Sequence, residues 1–545
     1  DRAVHKALQQ QVDVALDRVG ISEADGAPYE MAQRQADRFL ETYWSILPLQ
    51  EGDSHARRYQ RLEQQLGARK ALRDFRPLNE PGYRCDLMPD LAALVPRQDA
   101  RPGAVRAFWR EKAKGQPKSR LRDGEELSAV ALAKRYYPES RNETATAAET
   151  EAFPSTSSLA TADFKADILQ TLCHNESNPA LREAVTAYES AMAPLLGPAG
   201  AKEAPLPALD DLAEAAGIDL FHRIGGDWLF SETFDRFDEE EPSLHAKTDR
   251  ARNAASDLIQ AARAEGMGAP SRYYALLLLD GDNMGKWLSG DQAPDGQTVN
   301  EAYHRAVSRA LGRFAGHHVP RIVEQEYRGR LVYSGGDDVL AFVSLHDALP
   351  MARHLRAAFS GDLDDTGAIA WGQERAFTTD PQADDPVLGH KASASASLVM
   401  AHHMQPLDQV LDRARTTETF AKDGLGRDAL ACVIMKRSGE QVRAGGHWQN
   451  DDVDLVEVLR QYATFIRDGT VSTGYLYNIR ADESTLETLP DDAIRSELRR
   501  IFRRQTGSGT DSDFAETVEA LLRLSASQDS PLRTTTQLLT VAQFI

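Results

Sequence analysis

The chain is poor in cysteine: Cys85, Cys173 and Cys432 are the only three in 545 residues, and they lie far apart. That excludes a disulfide framework and fits a reducing cytoplasm, and no pair of them has metal-ligand spacing. No run of about 18 apolar residues occurs, so no membrane-spanning segment is expected. Positive charge is scarce, with 63 Lys and Arg against 83 Asp and Glu and a formal net charge of −20. A generic nucleic-acid coat is excluded on that ground, because such proteins carry a basic face that releases counterions from phosphate. Basic residues do cluster at Arg57, Arg58, Arg61, Arg69, Lys70 and Arg73, and at Lys112, Lys114, Lys118, Arg120 and Arg122. Each cluster taken singly reads as a solvated helix face. The chain also lacks an initial Met and an apolar signal-like stretch, from which a trimmed start is expected.

What is present is a globular composition, 41% hydrophobic and 27% charged, long enough for about three or four domains. Residues 1 to about 45 have helical spacing at Val12, Ala15, Leu16 and Val19, followed by strand-like Trp44-Ser45-Ile46-Leu47-Pro48. A charged helical pattern runs from Ser54 to Phe75, then a loop-rich stretch surrounds Cys85, and a good helix follows Gly124. Residues 138 to 160 read as a loop and helix start, with helices expected over 158 to 175, 179 to 196 and 207 to 216. Arg223-Ile224-Gly225-Gly226-Asp227-Trp228 imitates an acidic glycine turn but has no partner strand, and is expected to be an ordinary turn.

Two stretches carry chemistry. Tyr273 to Leu279 is an apolar run of buried-strand length that ends in Asp280-Gly281-Asp282-Asn283-Met284-Gly285-Lys286. A strand that ends in an acid and turns through glycine into a helix can hold a metal on the carboxylate and phosphate on the backbone amides. An Asp helix cap with a glycine turn has the same spelling. The second stretch, Tyr333-Ser334-Gly335-Gly336-Asp337-Asp338-Val339, reads as a tight hairpin with acids at its tip. Either it brings hard oxygen ligands to a metal, or it is a solvated turn. Between and after them come helices over 299 to 315, 317 to 327 and 346 to 359, and a long acidic loop over 361 to 388, expected to be a surface insertion. A strand of small residues, Lys391 to Met400, a helix from Leu407 to Lys422 and a last strand, Ala429 to Met435, complete the pattern. This order is that of a ferredoxin-like palm, in which the first strand lies beside the hairpin and Asp280 and Asp337 converge. Such carboxylates favour Mg2+ or Mn2+ over zinc, and two such ions suit nucleotidyl transfer. Lys422 either neutralises triphosphate charge or is a snorkelling helix-end lysine; Asp338 is either a second metal ligand or an acid-base group.

These motifs, with Ala401-His402-His403, Gly426-Arg427-Asp428-Ala429-Leu430 and Lys436-Arg437-Ser438-Gly439-Glu440, resemble the large polymerase-like subunit of type III-B (Cmr-type) CRISPR effector complexes. Weaker matches reach back to Pro154-Ser155-Thr156 and to Gly124-Glu125-Glu126-Leu127. The resemblance implies an α+β fold, cyclase-like palm domains combined with helical domains. It divides the chain into 1–50, a remnant of a first palm; 51–265, mainly helical with a degenerate zinc-ribbon-like loop; 266–440, the catalytic palm; and 441–545, a helical C-terminal domain. It implies conversion of ATP to cyclic oligoadenylate when a target RNA pairs with a guide RNA, in a complex with other protein subunits. It assigns metal to Asp280, the Gly281 carbonyl, Asp337 and Asp338, and phosphate to the backbone of Asp282, Asn283, Met284 and Gly285. The glycines Gly335 and Gly336 and the side chains of Ser393, Lys422 and, more weakly, Ser395 complete the nucleotide pocket. His402-His403 matches a structural feature of the family. Two departures stand out. The His-Asp pair of a family nuclease domain is missing, His346-Asp347 reading as a helix cap, so DNA cleavage is not expected. Cys85 stands alone where relatives hold zinc with paired cysteines, so no zinc is expected and packing must hold that loop. A silent scaffold of the same complex and a free-standing diguanylate or adenylate cyclase are the alternatives. The intact acids weigh against the first, and the C-terminal helical region against the second.

Overall fold

The computed structural model describes residues 2–48, 52–72, 75, 78, 80, 82–116, 120–141, 153–174, 178–197, 201–371, 376–450, 453–472, 474–503, 511–526, 528 and 530–545. Arg73 and Lys118 of the basic clusters, and 142–152 of the expected loop, lie outside them. The chain divides into two compact units, Asp1–Ala152 and Phe153–Ile545.

The first unit contains α1 (Arg2–Arg18), α2 (Ala27–Phe39), α3 (His55–Ala71), α4 (Pro102–Ala113) and α5 (Ala129–Arg141). Val12, Leu16 and Val19 of α1, Met31 and Ala36 of α2, Val105 and Trp109 of α4 and Leu132 and Tyr136 of α5 share one core. Gln35 is fully buried in it and spans it, donating to the Ala92 carbonyl at 2.8 Å and accepting from the Ala129 amide at 2.8 Å. The expected boundary at residue 50 therefore falls inside a single core, which α1 and α2 share with α4 and α5. Trp44 to Pro48 form no strand, and Trp44 and Ile46 are exposed. Around the buried Cys85, backbone bonds from Cys85 to Leu91 (3.0 Å) and from Ala93 to Tyr83 (2.8 Å) close the loop.

The second unit opens with α6 (Thr156–Ala160), α7 (Ala162–His174), α8 (Pro179–Met192), α9 (Pro207–Ala216), α10 (Ser231–Glu240) and α11 (His245–Ala264). The expected turn at Arg223 to Trp228 is a turn of helix over Gly226–Leu229. It is packed so closely that a Cβ on Gly226 would lie 2.2 Å from the Ser157 carbonyl oxygen. Beneath it the buried Lys165 ammonium donates to the Ile224 carbonyl at 2.5 Å, and burial lowers its pKa to about 8. Burial and the nearby Glu203 carboxylate raise Asp227 to about 6. These groups tie the helical layer together: Glu203 also accepts from the Ser155 amide at 3.0 Å and the Ser158 hydroxyl at 2.8 Å.

The palm follows: β1 (Tyr273–Gly281), α12 (Met284–Ser289), α13 (Glu301–Arg313), β2 (Gly329–Ser334), β3 (Asp338–Val343), α14 (Ala348–Ser360), β4 (Ala394–His402), α15 (Leu407–Thr419), β5 (Ala429–Met435) and β6 (Gln441–His447). The six strands lie in the order β2-β3-β1-β4-β5-β6, antiparallel except for β4 beside β5. β1 is apolar on both faces because both are covered. Ala275, Leu277 and Leu279 pack with α13 and α14 residues such as Val307 and Leu355. Tyr274 and Leu276 pack with Phe234, Leu258, Val410 and Ala414 of α10, α11 and α15. The side chain of Asn300 caps α13 by accepting from the Tyr303 amide at 2.9 Å.

Beyond the sheet come the two-residue strands β7 (Gln449–Asn450) and β8 (Val453–Asp454). Five helices follow: α16 (Leu455–Arg467), α17 (Gly474–Leu486), α18 (Asp491–Arg503), α19 (Asp511–Ser525) and α20 (Pro531–Phe544). Leu459, Tyr475, Leu521 and Leu539 of these helices enter the same core as the α13 face of the palm. Three expectations need correction here. The palm sheet runs past residue 440 into β6. The 361–388 loop tucks Leu363, Phe377, Val387 and Leu388 inside, because the sheet and α14 leave an apolar edge for them to cover. Asp347 stands at the start of α14 but does not cap it with its side chain. Its carboxylate instead takes two bonds from the Arg328 guanidinium, at 2.8 and 2.6 Å. Among the described residues, no helix is long and apolar enough to cross a membrane.

Gly226→Ala is expected to cost about 3 kcal/mol or more, since backbone must move to admit the methyl group. Gly312→Ala, in open space within α13, is expected to be neutral or stabilising by up to about 1 kcal/mol. Urea denaturation midpoints of the two variants check both.

Candidate active site in the palm

β1 delivers its terminal residues to a fixed place. Asp280 lies opposite Asp338 of β3 on one side and Ser395 of β4 on the other. Directly opposed residues of antiparallel strands project on the same face, so Asp280 and Asp338 are neighbours there. Asp337 is held against β1 by its backbone, its carbonyl accepting from the Gly281 amide at 3.0 Å. A Cβ on Gly281 would lie 2.9 Å from the Asp337 Cβ and 2.7 Å from the Phe359 ring, so this approach requires glycine. At the hairpin tip the Gly335 amide donates to the Asp338 carbonyl at 3.0 Å and Gly336 has φ 111°, a conformation suited to glycine. A Cβ on Gly335 would overlap the Tyr333 hydroxyl. Both glycines are thus needed to build the tip.

The structure therefore brings Asp280, Gly281, Asp337 and Asp338 together, 57 residues of chain notwithstanding. Burial, then the charges of Asp280 and Asp338, push the Asp337 carboxyl above its ordinary pKa, with Lys422 pulling the other way. Lys422 lies in a π-helical continuation of α15, Phe420–Gly424, and its ammonium donates to both Asp280 and Glu418, the latter at 2.5 Å. Glu418 had no signal in the sequence beyond standing four residues before a lysine on one helix.

The donor set is all oxygen and carries excess negative charge around a single ammonium, which fits a hard divalent cation. Among the described residues, one His/Cys/Asp/Glu trio has ligand atoms all within 4.8 Å of one another: Asp238, His245 and Asp249. Arg252 already fills that position, bonding Asp238 at 2.9 Å and Asp249 at 2.8 Å. The palm carboxylates stand farther apart than that.

Three expected nucleotide contacts have other partners. The Asp282 amide donates to the Ser393 carbonyl at 2.8 Å and so does not face the site. Ser393 and Ser395 both turn their hydroxyls to the Asp282 carboxylate at 2.8 Å. Asn283 takes a left-handed φ of 56° as the residue before α12, and Met284 and Gly285 begin that helix with N–H groups that it cannot satisfy itself. His402 and His403 lie at the far end of β4. The His402 ring accepts from the Met404 amide at 3.1 Å, and His403 stacks on Phe230 with centroids 5.1 Å apart. Burial, then His402, lowers the His403 pKa to about 4.

Comparison with known proteins places this geometry. Residues 273–431 match the family described as Cas10/Cmr2, second palm domain. The CRISPR system Cmr subunit Cmr2 of Pyrococcus furiosus is 29% identical over 267 residues, covering 45% of this chain. The chain spans only 28% of that curated relative's length. Among solved structures, a type III-B Cmr-beta assembly in its apo state has a chain similar over 99% of this one and 67% of its own, at 13% identity and a TM-score of 0.59. The same assembly bound to cognate target RNA gives 14% identity, 99% and 68% coverage and again 0.59. The six-stranded sheet's first five strands and the acid-bearing hairpin fall in or at the edge of the stretch, residues 273–431, that is similar to the Cas10/Cmr2 second palm domain.

Proposed function

We propose that this chain is the nucleotidyltransferase subunit of a type III-B CRISPR complex, joining ATP molecules into cyclic oligoadenylate when a target RNA pairs with the guide RNA. The observation that carries the reading is the convergence of Asp280, Asp337 and Asp338 at the end of β1, with Lys422 against them. Intact carboxylates in that arrangement weigh against a silent scaffold. The relative from Pyrococcus furiosus, named as a Cmr subunit, and the Cmr-beta assembly bound to cognate target RNA support a place among other protein subunits and RNA. The helices α16–α20 sharing the palm core weigh against a free-standing cyclase.

Asp280, the Gly281 carbonyl, Asp337 and Asp338 would hold two Mg2+ or Mn2+ ions, whose chemistry would be to activate a ribose hydroxyl and offset charge on pyrophosphate. The chain's own residues set the geometry. The Gly281–Asp337 backbone bond sets Asp337 beside the end of β1, and the glycine hairpin builds the tip that carries Asp337 and Asp338. The Met284 and Gly285 amides are offered to phosphate oxygens. Lys422, tethered by Glu418 and paired with Asp280, would supply positive charge to the polyphosphate.

The purified complex, given labelled ATP, Mg2+ and cognate target RNA, is expected to form cyclic oligoadenylate, and Asp337→Ala with Asp338→Ala to abolish it. No product from the intact complex overturns the reading; product formed without guide or target favours a free-standing cyclase. Lys422→Met is expected to lower turnover at least about tenfold while tightening Mn2+ binding, because an ammonium that competes for Asp280 is gone; electron paramagnetic resonance titration reads the affinity. The raised Asp337 pKa also has a stability consequence. The folded chain binds that proton more tightly than the unfolded chain, so this group's contribution falls as pH rises above the ordinary carboxylate value. Asp337→Asn should therefore raise Tm by about 1 to 3 °C at pH 7 and by almost nothing near pH 3, as calorimetry at the two pH values would report.

A further inference from the structure

The palm sheet has a second end. β1 starts there, and β4 and β5 finish there, opposite the site acids, because β4 runs antiparallel to β1 and parallel to β5. Two sequence motifs to which catalysis gives no role, His402-His403 and Lys436-Arg437-Ser438-Gly439-Glu440, fall at this end, beside Arg272, which precedes β1. The His403 amide donates to the Arg272 carbonyl at 2.8 Å. Burial, then Arg437 and Arg272, lowers the His402 pKa, so both guanidinium groups lie near that imidazole. The length of β1, Tyr273–Gly281, puts this end roughly 25 Å from Asp280.

A groove of about 540 Å³ adjoins Arg272, between α10, α11 and the 269–272 segment that leads into β1. Its floor is apolar, formed by residues such as Leu229, Phe234 and Ile259. Its wall is a polar stripe of α11, where Asn253, Ser256, Gln260 and Arg263 recur at helical spacing. Arg252, Arg263 and Arg272 line the groove, and no carboxylate does. Phe230 joins it to the histidine pair: the Arg272 guanidinium carbon lies 4.4 Å from the Phe230 ring centroid, and the His403 ring stacks on Phe230 at 5.1 Å.

Not all of these cations are committed. Arg252 is held by Asp235, Asp238 and Asp249. Arg272 has one carboxylate partner, Glu232 at 2.8 Å, and its side chain is 40% exposed. An exposed ion pair of that kind contributes little, so Glu232 exchanges readily for another anion. Arg263 and Arg437 are exposed and have no ion pair among the described residues. In a chain of net charge −20, a groove and turn bearing free arginines run against the overall charge and mark a place where a polyanion is accepted.

We propose that this groove and the neighbouring 436–440 turn bind a single-stranded stretch of RNA, with Arg263, Arg272 and Arg437 on its phosphates and a base against the outer side of the Arg272 guanidinium. Phosphates match the planar fork of arginine donors, and an unstacked base lies on a guanidinium plane while its edge bonds amide and hydroxyl groups such as those of the α11 wall. An acidic protein segment supplies the charge but not the flat ring. The proposal rests on the RNA partner in the reading above, and not on the chemistry at the site acids.

The test uses the full 545-residue chain and the fluorescence anisotropy of a short fluorescein-labelled single-stranded RNA, titrated at a series of salt concentrations. Arg263→Ala with Arg437→Ala is expected to weaken binding at least about tenfold and to flatten the log–log salt slope by about 1.4, as for loss of two phosphate contacts to a single strand. Ser256→Glu, which sets a carboxylate in the groove, is expected to weaken it comparably. Arg305→Ala, which removes an equal charge from the exposed side of α13, is expected to bind like the wild type. All four positions are exposed, and none of these changes is expected to lower Tm. A wild-type chain that does not bind the RNA, unchanged affinity and slope in the double variant, no effect of Ser256→Glu, or an equal loss in Arg305→Ala would each overturn the proposal. So would displacement of the probe by AMP as readily as by unlabelled RNA, which assigns the groove to free nucleotides, or by polyglutamate, which assigns it to an acidic protein segment. Formation of cyclic oligoadenylate is read separately: an intact complex that makes none, while RNA binding responds to these variants as expected, refutes the nucleotidyltransferase reading and not this one.

Discussion

β1 is paired along its whole length with β4 and along most of it with β3, and that double register is the constraint from which the rest of the site follows. A slip of one residue on either side would turn every β1 side chain to the opposite face and move Asp280 away from Asp338. The register is secured by burial rather than by the acids. Leu277 and Leu279 belong to one core and Tyr274 and Leu276 to the other, so each face of the strand has its own apolar layer to satisfy. Removing apolar area from water contributes roughly 1.5 to 3 kcal/mol per such side chain. That is enough to oppose the mutual repulsion of carboxylates crowded at the strand's end.

The strands that define the palm were readable because their signals were local. An apolar run ending in acid gave β1, the Gly-Gly-Asp-Asp turn gave the hairpin of β2 and β3, and the boundaries of β5 agree with the sequence reading at both ends. β6 was not readable. Gln441 to His447 contains Gly445 and Gly446, and a Cβ on Gly445 would lie 2.6 Å from the Leu430 carbonyl oxygen, so the strand is small because its neighbour presses on it. Only Val442 and Ala444 alternate with polar residues before the glycines, too short a run to mark a strand. The 361–388 loop failed for a related reason: four buried side chains scattered through acidic residues make no periodic pattern.

At the site, residue types were legible and partners were not. Asp280, Asp337 and Asp338 could be grouped because the palm order puts their strands side by side. Ser393 looked like a pocket residue because it lies on a strand of small side chains, yet its hydroxyl points to a buried carboxylate. Asp282 looked like a phosphate-binding residue because it begins a glycine turn, yet its backbone and side chain both serve β4 and the 428 turn. Glu418 gained meaning only from the Lys422 ammonium it faces. In each case the deciding information is a contact between segments more than a hundred residues apart, or the direction of one side chain, and neither leaves a trace in local pattern.

The helices α16–α20 enter the same apolar core as α13, α14 and the β1 face they cover, with Leu355, Leu459 and Leu539 all buried in it. A continuous close-packed interior has low compressibility and transmits strain. The C-terminal helices are thus no pendant attached by a hinge but part of the palm's backing. A load applied to them by a neighbouring molecule would be felt at β1 as an elastic displacement of the whole layer, and the acids at its tip would move as one body with it.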